Sequence, residues 1–463
     1  MPDPMQLPHE LRLMILNHAA DQEDSHEYEW AKYQTKRRAL SNLSLVSKSW
    51  HAILIRQIYS TWEYDCDFNS ISSLWKFLRT ILSNSQIADT VREIRYSSYS
   101  LGTDLAFYAE RPPRPPFSLQ DDRDMIRNAI CTAGLAHIKP DVINAINNAD
   151  PRPLLALLLA NLQNLQILRA RIPHTDMFLA GVFREAVRRQ PPNPLLNLRE
   201  VYLECIPWRC YECKYPQYIH VSLLWPIFQL PAIQRVSVSD FKPHEGASRA
   251  EYAEDFGDIF EASTVTDLNL VLNAYFARCL ATPDSLILLS LPKRLTRLSI
   301  FLKGSGFRDL KISNVDIWNA IRPHEESIEY LSVDRWECGE EDDTRFGSLR
   351  GFERLKHLYI QPRLLSDTDS LGDTLPPNCQ SLNFYLDGAS GFTEHFSQRL
   401  LDYMSRVHLH TPYLWHIALD VFRKFIIETP PIYDQMKIAC AKQGIKFEDK
   451  CLTTHSGGPQ QHW

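Results

Sequence analysis

One spacing recurs along the chain from residue 91 onward: an apolar residue, two of any kind, a second apolar residue, one of any kind, and a third apolar residue. Its instances are Val91-Ile94-Tyr96, Leu165-Leu168-Ala170, Leu198-Val201-Leu203, Ile233-Val236-Val238, Val265-Leu268-Leu270, Leu295-Leu298-Ile300, Ile328-Leu331-Val333, Leu355-Leu358-Ile360, Cys379-Leu382-Phe384 and Leu414-Ile417-Leu419. From the second instance on, they begin 24 to 35 residues apart. The last two apolar positions flank a single residue, the period of a strand with one buried face. The intervals hold helical patterns. Residues 176–189 place Met177, Phe178, Val182, Phe183, Ala186 and Val187 on one face, and residues 314–321 do the same with Val315, Ile317, Trp318 and Ile321. Ile71, Leu74, Leu78, Ile81 and Leu82 make another stripe. A strand–helix unit of this size cannot bury its apolar face alone, so neighbours must stack. The expected fold class is α/β, a solenoid with one parallel strand and a helix per repeat. Right-handed crossovers would put the helices on the convex side. A doubly wound α/β enzyme also alternates strands and helices, but no strand here runs into a Gly-rich turn that opens a helix.

The first sixty residues follow another logic. Leu7-Pro8-His9-Glu10-Leu11 leads into Met14, Ile15 and Ala19 at helical spacing, with Pro8 where a missing N–H costs a helix nothing. Leu43, Val46, Trp50, Ile53 and Leu54 form a second stripe at steps of three and four. Two short apolar helices cannot bury much against each other, which points to a partner surface. The run from Leu7 to Trp50 resembles an F-box, a helical module that docks on a Skp-type adaptor of a cullin ubiquitin ligase. The resemblance implies adaptor contacts at Leu7, Pro8, Leu11, Ile15, Val46 and Trp50. Two departures stand out. The segment from residue 21 to 38, acidic and then basic, is longer than the family usually allows, and reads as an insertion or a polar extension of the first helix. Ser47 stands where the family often has cysteine. The later pattern resembles leucine-rich repeats, whose usual period is about 20–29 residues. Together the two look like the F-box and leucine-rich-repeat proteins common in fungi. That resemblance implies a substrate receptor that makes no bonds itself.

Bulk properties narrow the class. A net charge of −6 argues against a general nucleic-acid binder. Pro8, His9 and Glu10 interrupt any leading signal-like run, and the longest apolar stretch, residues 154–160, is too short to span a bilayer. The 10 cysteines are mostly scattered singly, which fits reduced thiols in cytoplasm or nucleus.

Signatures of chemistry are sparse. There is no Walker A run, nucleophile elbow or paired-His zinc-protease motif, so no catalytic residue and no cofactor is expected. Lys303-Gly304-Ser305-Gly306 reads as a plain turn. His408 and His410 flank Leu409 and would point the same way on a strand. Cys205, Cys210 and Cys213 with His220 form the one metal candidate, because Cys210 and Cys213 carry the two-residue gap that suits tetrahedral zinc. The alternative for that cluster is reduced cysteines packing a loop, and the protein is expected to hold no metal. Residues 111–116 (Arg-Pro-Pro-Arg-Pro-Pro) read as a surface polyproline loop and residues 337–343 as an acidic one.

The expected organisation is an F-box-like module at 1–62, a connecting helix at 63–87, a leucine-rich-repeat-like solenoid at 88–450 and a disordered tail at 451–463. In each strand the residues beside the buried positions face the opposite side. That places Arg169, Tyr202, Arg297, Ser299, Tyr330, His357, Tyr359, His416 and Ala418 on one sheet face. Arg169, Tyr202, Arg297, Tyr330, His357, Tyr359 and His416 are the candidates to bind a protein substrate. The expected partners are a Skp-type adaptor, a cullin ligase and an unidentified protein substrate, with neither nucleic acid nor membrane. A solenoid scaffold unconnected to any ligase is the rival reading. An enzyme built on the Cys205–Cys213 cluster is a third.

Overall fold

The computed structural model describes residues 29–66, 69–97, 120–172, 176–188, 195–205, 219–239, 241–242, 263–273, 283–303, 312–336, 345–366, 369–386, 394–422 and 432–452. Leu7, Pro8, Leu11 and Ile15, Cys210 and Cys213, the proline run and the acidic loop lie outside them. The chain divides into two compact units, residues 1–170 with 184–198, and residues 171–183 with 199–463.

The first unit opens with two helices, α1 (Glu29–Ser44) and α2 (Lys48–Ser60). The expected continuous stripe from Leu43 to Leu54 is broken between them. The amides of Leu45 and Val46 turn back to the carbonyls of Asn42 and Leu43, and the Ser47 hydroxyl caps α2 by accepting from the Trp50 amide at 3.2 Å. Leu40, Leu54 and Ile58 form the small core between the helices, with Leu43, Trp50 and Ile53 packed against it. Leu45 and Val46 stay outside, 82% and 70% exposed. The basic residues Arg37 and Arg38 are part of α1, so that portion of the long segment extends a helix.

Strand β1 (Thr61–Asp65) follows α2 directly, so it crosses the boundary expected at residue 62. Helix α3 (Ile71–Ser83) then buries Leu74, Trp75, Phe77, Leu78 and Ile81. Strand β2 (Glu93–Ser97) pairs with β1 in parallel, with Trp62 opposite Ile94 and Tyr64 opposite Tyr96. Trp62 stacks on Phe77 with centroids 4.3 Å apart. Helices α4 (Gln120–Thr132), α5 (Lys139–Asn147) and α6 (Arg152–Ala160) follow. Leu154 to Leu159 of α6 are fully buried, so the longest apolar stretch of the sequence is an internal helix. β3 (Ile167–Ile172) and α7 (Met177–Arg188) straddle the division between the units. Asp176 caps α7, accepting from the Leu179 amide at 2.9 Å.

The second unit carries β4 (Glu200–Cys205), helix α8 (Val221–Phe228), β5 (Arg235–Ser239), β6 (Asp267–Asn273), β7 (Arg297–Lys303), helix α9 (Asn314–Ile321), β8 (Tyr330–Trp336), β9 (His357–Ile360), β10 (Ser381–Leu386), helix α10 (Glu394–Ser405), β11 (His416–Phe422), helix α11 (Ile432–Lys442) and β12 (Lys446–Leu452). Each strand from β5 on lies beside the one before it, and every pairing is parallel. The order never reverses within this unit, so it lacks the switch point at which doubly wound sheets bind ligands. α/β with a parallel, strand-by-strand progression is therefore the fold class of this unit. One helix per repeat is a correction: 3₁₀ turns at Pro283–Ser290, Leu349–Gly351 and Pro362–Leu364 stand in several connections. The pattern starts 27 and 24 residues apart, at Ile328, Leu355 and Cys379, leave room for little more. Among the described residues no helix is long and apolar enough to cross a membrane.

Two rows build the core. Val201, Val236, Leu268, Leu298, Leu331, Leu358, Leu382 and Ile417 sit opposite one another and are fully buried. Leu203, Val238, Leu270, Ile300, Val333, Ile360, Phe384 and Leu419 repeat the row two residues on. At the strand starts a second device recurs. The carbonyl of the residue just before a strand accepts both the amide of its counterpart in the next repeat and that of the following residue. Gln234 does so for Thr266 and Asp267, Thr266 for Thr296 and Arg297, Thr296 for Glu329 and Tyr330, Glu329 for Lys356 and His357, Lys356 for Gln380 and Ser381, and Gln380 for Trp415 and His416.

Candidate functional site: the open face of the second unit's sheet

Because side chains alternate along a strand, the residues between the two core rows, and those before them, share the opposite face. The first open row reads Glu200, Arg235, Asp267, Arg297, Tyr330, His357, Ser381, His416 and Lys446 in register. The second reads Tyr202, Ser237, Asn269, Ser299, Ser332, Tyr359, Asn383, Ala418 and Glu448. The predicted residues Tyr202, Arg297, Tyr330, His357, Tyr359 and His416 thus fall on one face. Arg169 lies in the other unit, where its Nε donates to Glu93 at 3.0 Å beside Arg95 at 2.9 Å.

Opposite charges alternate along the first part of the row. The Tyr202 hydroxyl donates to Glu200 at 2.7 Å, and Arg235 donates to Tyr202 at 3.2 Å and to Asp267 at 2.7 Å. The Tyr202 contact and the Asp267 carboxylate hold Arg235 more firmly protonated than usual, against the opposing effect of burial. Arg297 reaches the same Asp267 at 3.5 Å and lays its guanidinium over the Tyr330 ring, 4.3 Å from the centroid. Tyr330 adjoins His357, with centroids 6.4 Å apart. Burial lowers the His357 pKa, and the nearby charges of Arg297 and Lys356 lower it further, so its imidazole is neutral at neutral pH.

A second chain of contacts closes the row. Ser381 Oγ and His416 Nδ1 are 2.8 Å apart, and His416 Nε2 is 3.3 Å from Glu448, which also pairs with Lys446. Alcohol, imidazole and carboxylate in this sequence are the parts of a hydrolytic triad. Here the amides of Gln380 and Ser381 both donate to the Lys356 carbonyl, so neither is aimed at an oxyanion. Ser381 is also buried, at 6% exposure.

Exposure divides the predicted residues. Tyr202, Tyr330 and His357 are half-buried, and the Arg297 side chain is 53% exposed. Tyr359 and His416 are each only 7% exposed, so these two candidates are closed to solvent. The Tyr359 hydroxyl bonds to Asp420 and lies near Asp334 and Tyr385, all three of them buried. Burial, then the two aspartates, push the Tyr359 pKa well up. The face is thus open around Tyr202, Arg297, Tyr330 and His357 and closed at Tyr359, Ser381 and His416.

Sequence reasoning missed Glu200, Arg235, Asp267, Ser381 and Glu448. The signal was present for the first four, since each immediately precedes a buried residue of the repeated pattern. Glu448 belongs to β12, where Phe447, with Ile445 just before the strand, did not register as a repeat. Other expectations resolve separately. His408 and His410 lie on the short helix Val407–His410, not on a strand, which corrects their proposed common direction. Cys205 ends β4 and is buried, while His220 belongs to a two-residue strand, Ile219–His220. Among the described residues no three His, Cys, Asp or Glu side chains gather as a metal site.

Searched against models of known protein families, the chain matches none. A search of curated proteins likewise returns no match.

Proposed function

We propose that this protein is the substrate-recognition subunit of a Skp–cullin–F-box-type ubiquitin ligase. The N-terminal helices bind the adaptor, and the open face of a leucine-rich-repeat-like sheet binds a protein substrate. The observation that carries the reading is the corner between α1 and α2. There Leu45 and Val46, inside the F-box-like run, are 82% and 70% exposed although both are large and apolar. The half-exposed Tyr202, Arg297 and Tyr330 support the second part, because Tyr and Arg make strong interface anchors. In this reading the groups that form and break bonds lie in other subunits, and the protein acts in cytoplasm or nucleus.

The test is co-purification with a Skp-type adaptor. Leu45→Asp with Val46→Asp is expected to abolish it, with stability within about 0.5 kcal/mol of the parent, as is usual for exposed positions. Replacing Leu7 and Pro8 by Ala is expected to weaken it. Point variants suit this better than removing residues 1–62, which would cut into β1. Failure of the parent protein to recover the adaptor would leave the rival, a repeat scaffold that joins no ligase.

A further inference from the structure

The strand starts of the second unit present a rim distinct from the open face. Just before β9, Arg354 and Lys356 both reach Glu329, at 3.5 Å and 2.7 Å. The Lys356 hydrogen bond holds the Glu329 carboxyl below its ordinary range against a small effect of burial, and the charges of Arg354 and Arg294 add to this. Three cations therefore surround one carboxylate. Just before β11, in the equivalent places, stand Tyr413 and Trp415, 63% and 52% exposed. Asn378 and Gln380 occupy those places on the strand between. Register fixes the arrangement: Lys356, Gln380 and Trp415 are linked in turn by the shared carbonyls, with Gln380 N bonded to Lys356 O at 2.7 Å and Trp415 N to Gln380 O at 3.1 Å. Parallel strands lie about 4.8 Å apart, so the cations and aromatics are roughly 10 Å from each other.

This is an unusual place for a tryptophan. Its backbone is held on both sides, because Trp415 O also accepts from Lys446 N at 2.8 Å. A large apolar side chain is thus presented to solvent on a rigid support. Such pre-organised aromatics lose little entropy on binding and are frequent hot spots.

We propose that this rim docks an acidic peptide segment of a protein partner, one that carries an aromatic or aliphatic side chain beside its acidic residues. The acids would meet Arg294, Arg354 and Lys356, and the apolar side chain would lie on Tyr413 and Trp415. Charge complementarity selects the occupant. Three cations against the single carboxylate of Glu329 leave an excess of positive charge, which an acidic segment would complement and a purely apolar partner would not. The proposal goes beyond the ligase reading and does not depend on it, since the binding needs only this chain.

The experiment is fluorescence anisotropy with the purified full chain and no adaptor. The probes are a labelled twelve-residue peptide carrying four Asp or Glu and one Trp, its Asn/Gln counterpart, a phosphoserine version and a single-stranded RNA. The acidic peptide is expected to bind at least tenfold more tightly than the neutral one, and more weakly as salt rises. Tighter binding of the phosphoserine version would assign phosphate as the natural anion, and equal binding would assign carboxylate. Arg354→Gln with Lys356→Gln, and separately Tyr413→Ala with Trp415→Ala, should each weaken binding at least fivefold with unchanged thermal melting. Equal affinity for the neutral peptide, stronger binding of RNA, or indifference to both double variants would overturn the proposal. So would self-association that the Trp415 variant abolishes, since it would make a second copy the occupant.

Discussion

Arg297 lays its guanidinium carbon 4.3 Å from the centre of the Tyr330 ring, joining a charged pair on β6 and β7 to an aromatic pair on β8 and β9. A planar cation over a ring is attracted by the ring's negative face, and a lysine there would keep the charge but lose the stacking. A double-mutant cycle with Arg297→Ala and Tyr330→Ala should give a coupling of about 0.5–1 kcal/mol by urea denaturation. A coupling of zero would mean that the two side chains merely lie side by side.

Tyr202 and Tyr359 occupy the same row yet differ in environment. Tyr359→Phe removes a buried hydroxyl that bonds to a buried carboxylate, and should cost about 1–3 kcal/mol. Tyr202→Phe, at a half-buried place with several alternative partners, should cost less. Equal costs would show that the two ends of the face are equally closed. Any attempt to remove binding by truncating the face should therefore leave Tyr359 intact.

Glu63 on β1 makes a pH prediction for the first unit. Burial raises its pKa to about 7, and the charges of Asp65 and Glu93 add to that while those of Arg95 and Arg37 oppose it. A carboxyl whose folded pKa exceeds its unfolded value favours folding while it stays protonated. That contribution is full below about pH 4.5, declines as pH rises, and is lost above about pH 7. Glu63→Gln should thus raise the urea midpoint at pH 8 relative to the parent and change it little at pH 4.5. The same shift at both pH values would refute the ionisation account.

Gly372 lies against an imidazole. A Cβ built there would clash with the His410 imidazole. Gly372→Ala should therefore destabilise by about 1–3 kcal/mol, the usual cost of overpacking. His410→Ala should relieve most of it, so the two changes together should cost less than their sum. An additive pair would place the strain elsewhere.

Much of this fold was legible because a strand with one buried face writes its period into the sequence. Every instance of the repeated pattern, from Val91 to Leu414, leads into a strand. The predicted helices at 176–189 and 314–321 appear as Met177–Arg188 and Asn314–Ile321. β1 and β12 were missed for opposite reasons. Trp62 fell at the end of the segment assigned to the helical module and Tyr64 in the expected connecting helix, while Ile445 and Phe447 offered too few apolar places to count. Helix and 3₁₀ turn look alike in short intervals, since both repeat apolar residues every three to four positions. The break at Leu45 and Val46 was hidden because the stripe continues across it. In the site, direction was readable and depth was not. Alternation put Tyr359 on the same face as Tyr202, but no local pattern records that Asp334, Tyr385 and Asp420 enclose it.

The shared carbonyls at the strand starts have a bearing on how such a chain tolerates change. Each strand from β6 to β11 takes its position from two amides anchored on the carbonyl just before the preceding strand, independent of what lies between. A connection can then lengthen or shorten without shifting any side chain to the wrong face, because the alignment is reset at every start. This accounts physically for intervals that vary from 24 to 35 residues around a common register. It also predicts where the architecture is brittle. Proline in place of Thr266, Thr296 or Lys356 removes one of the two amides that anchor its own strand, so the register of that strand would be weakened there.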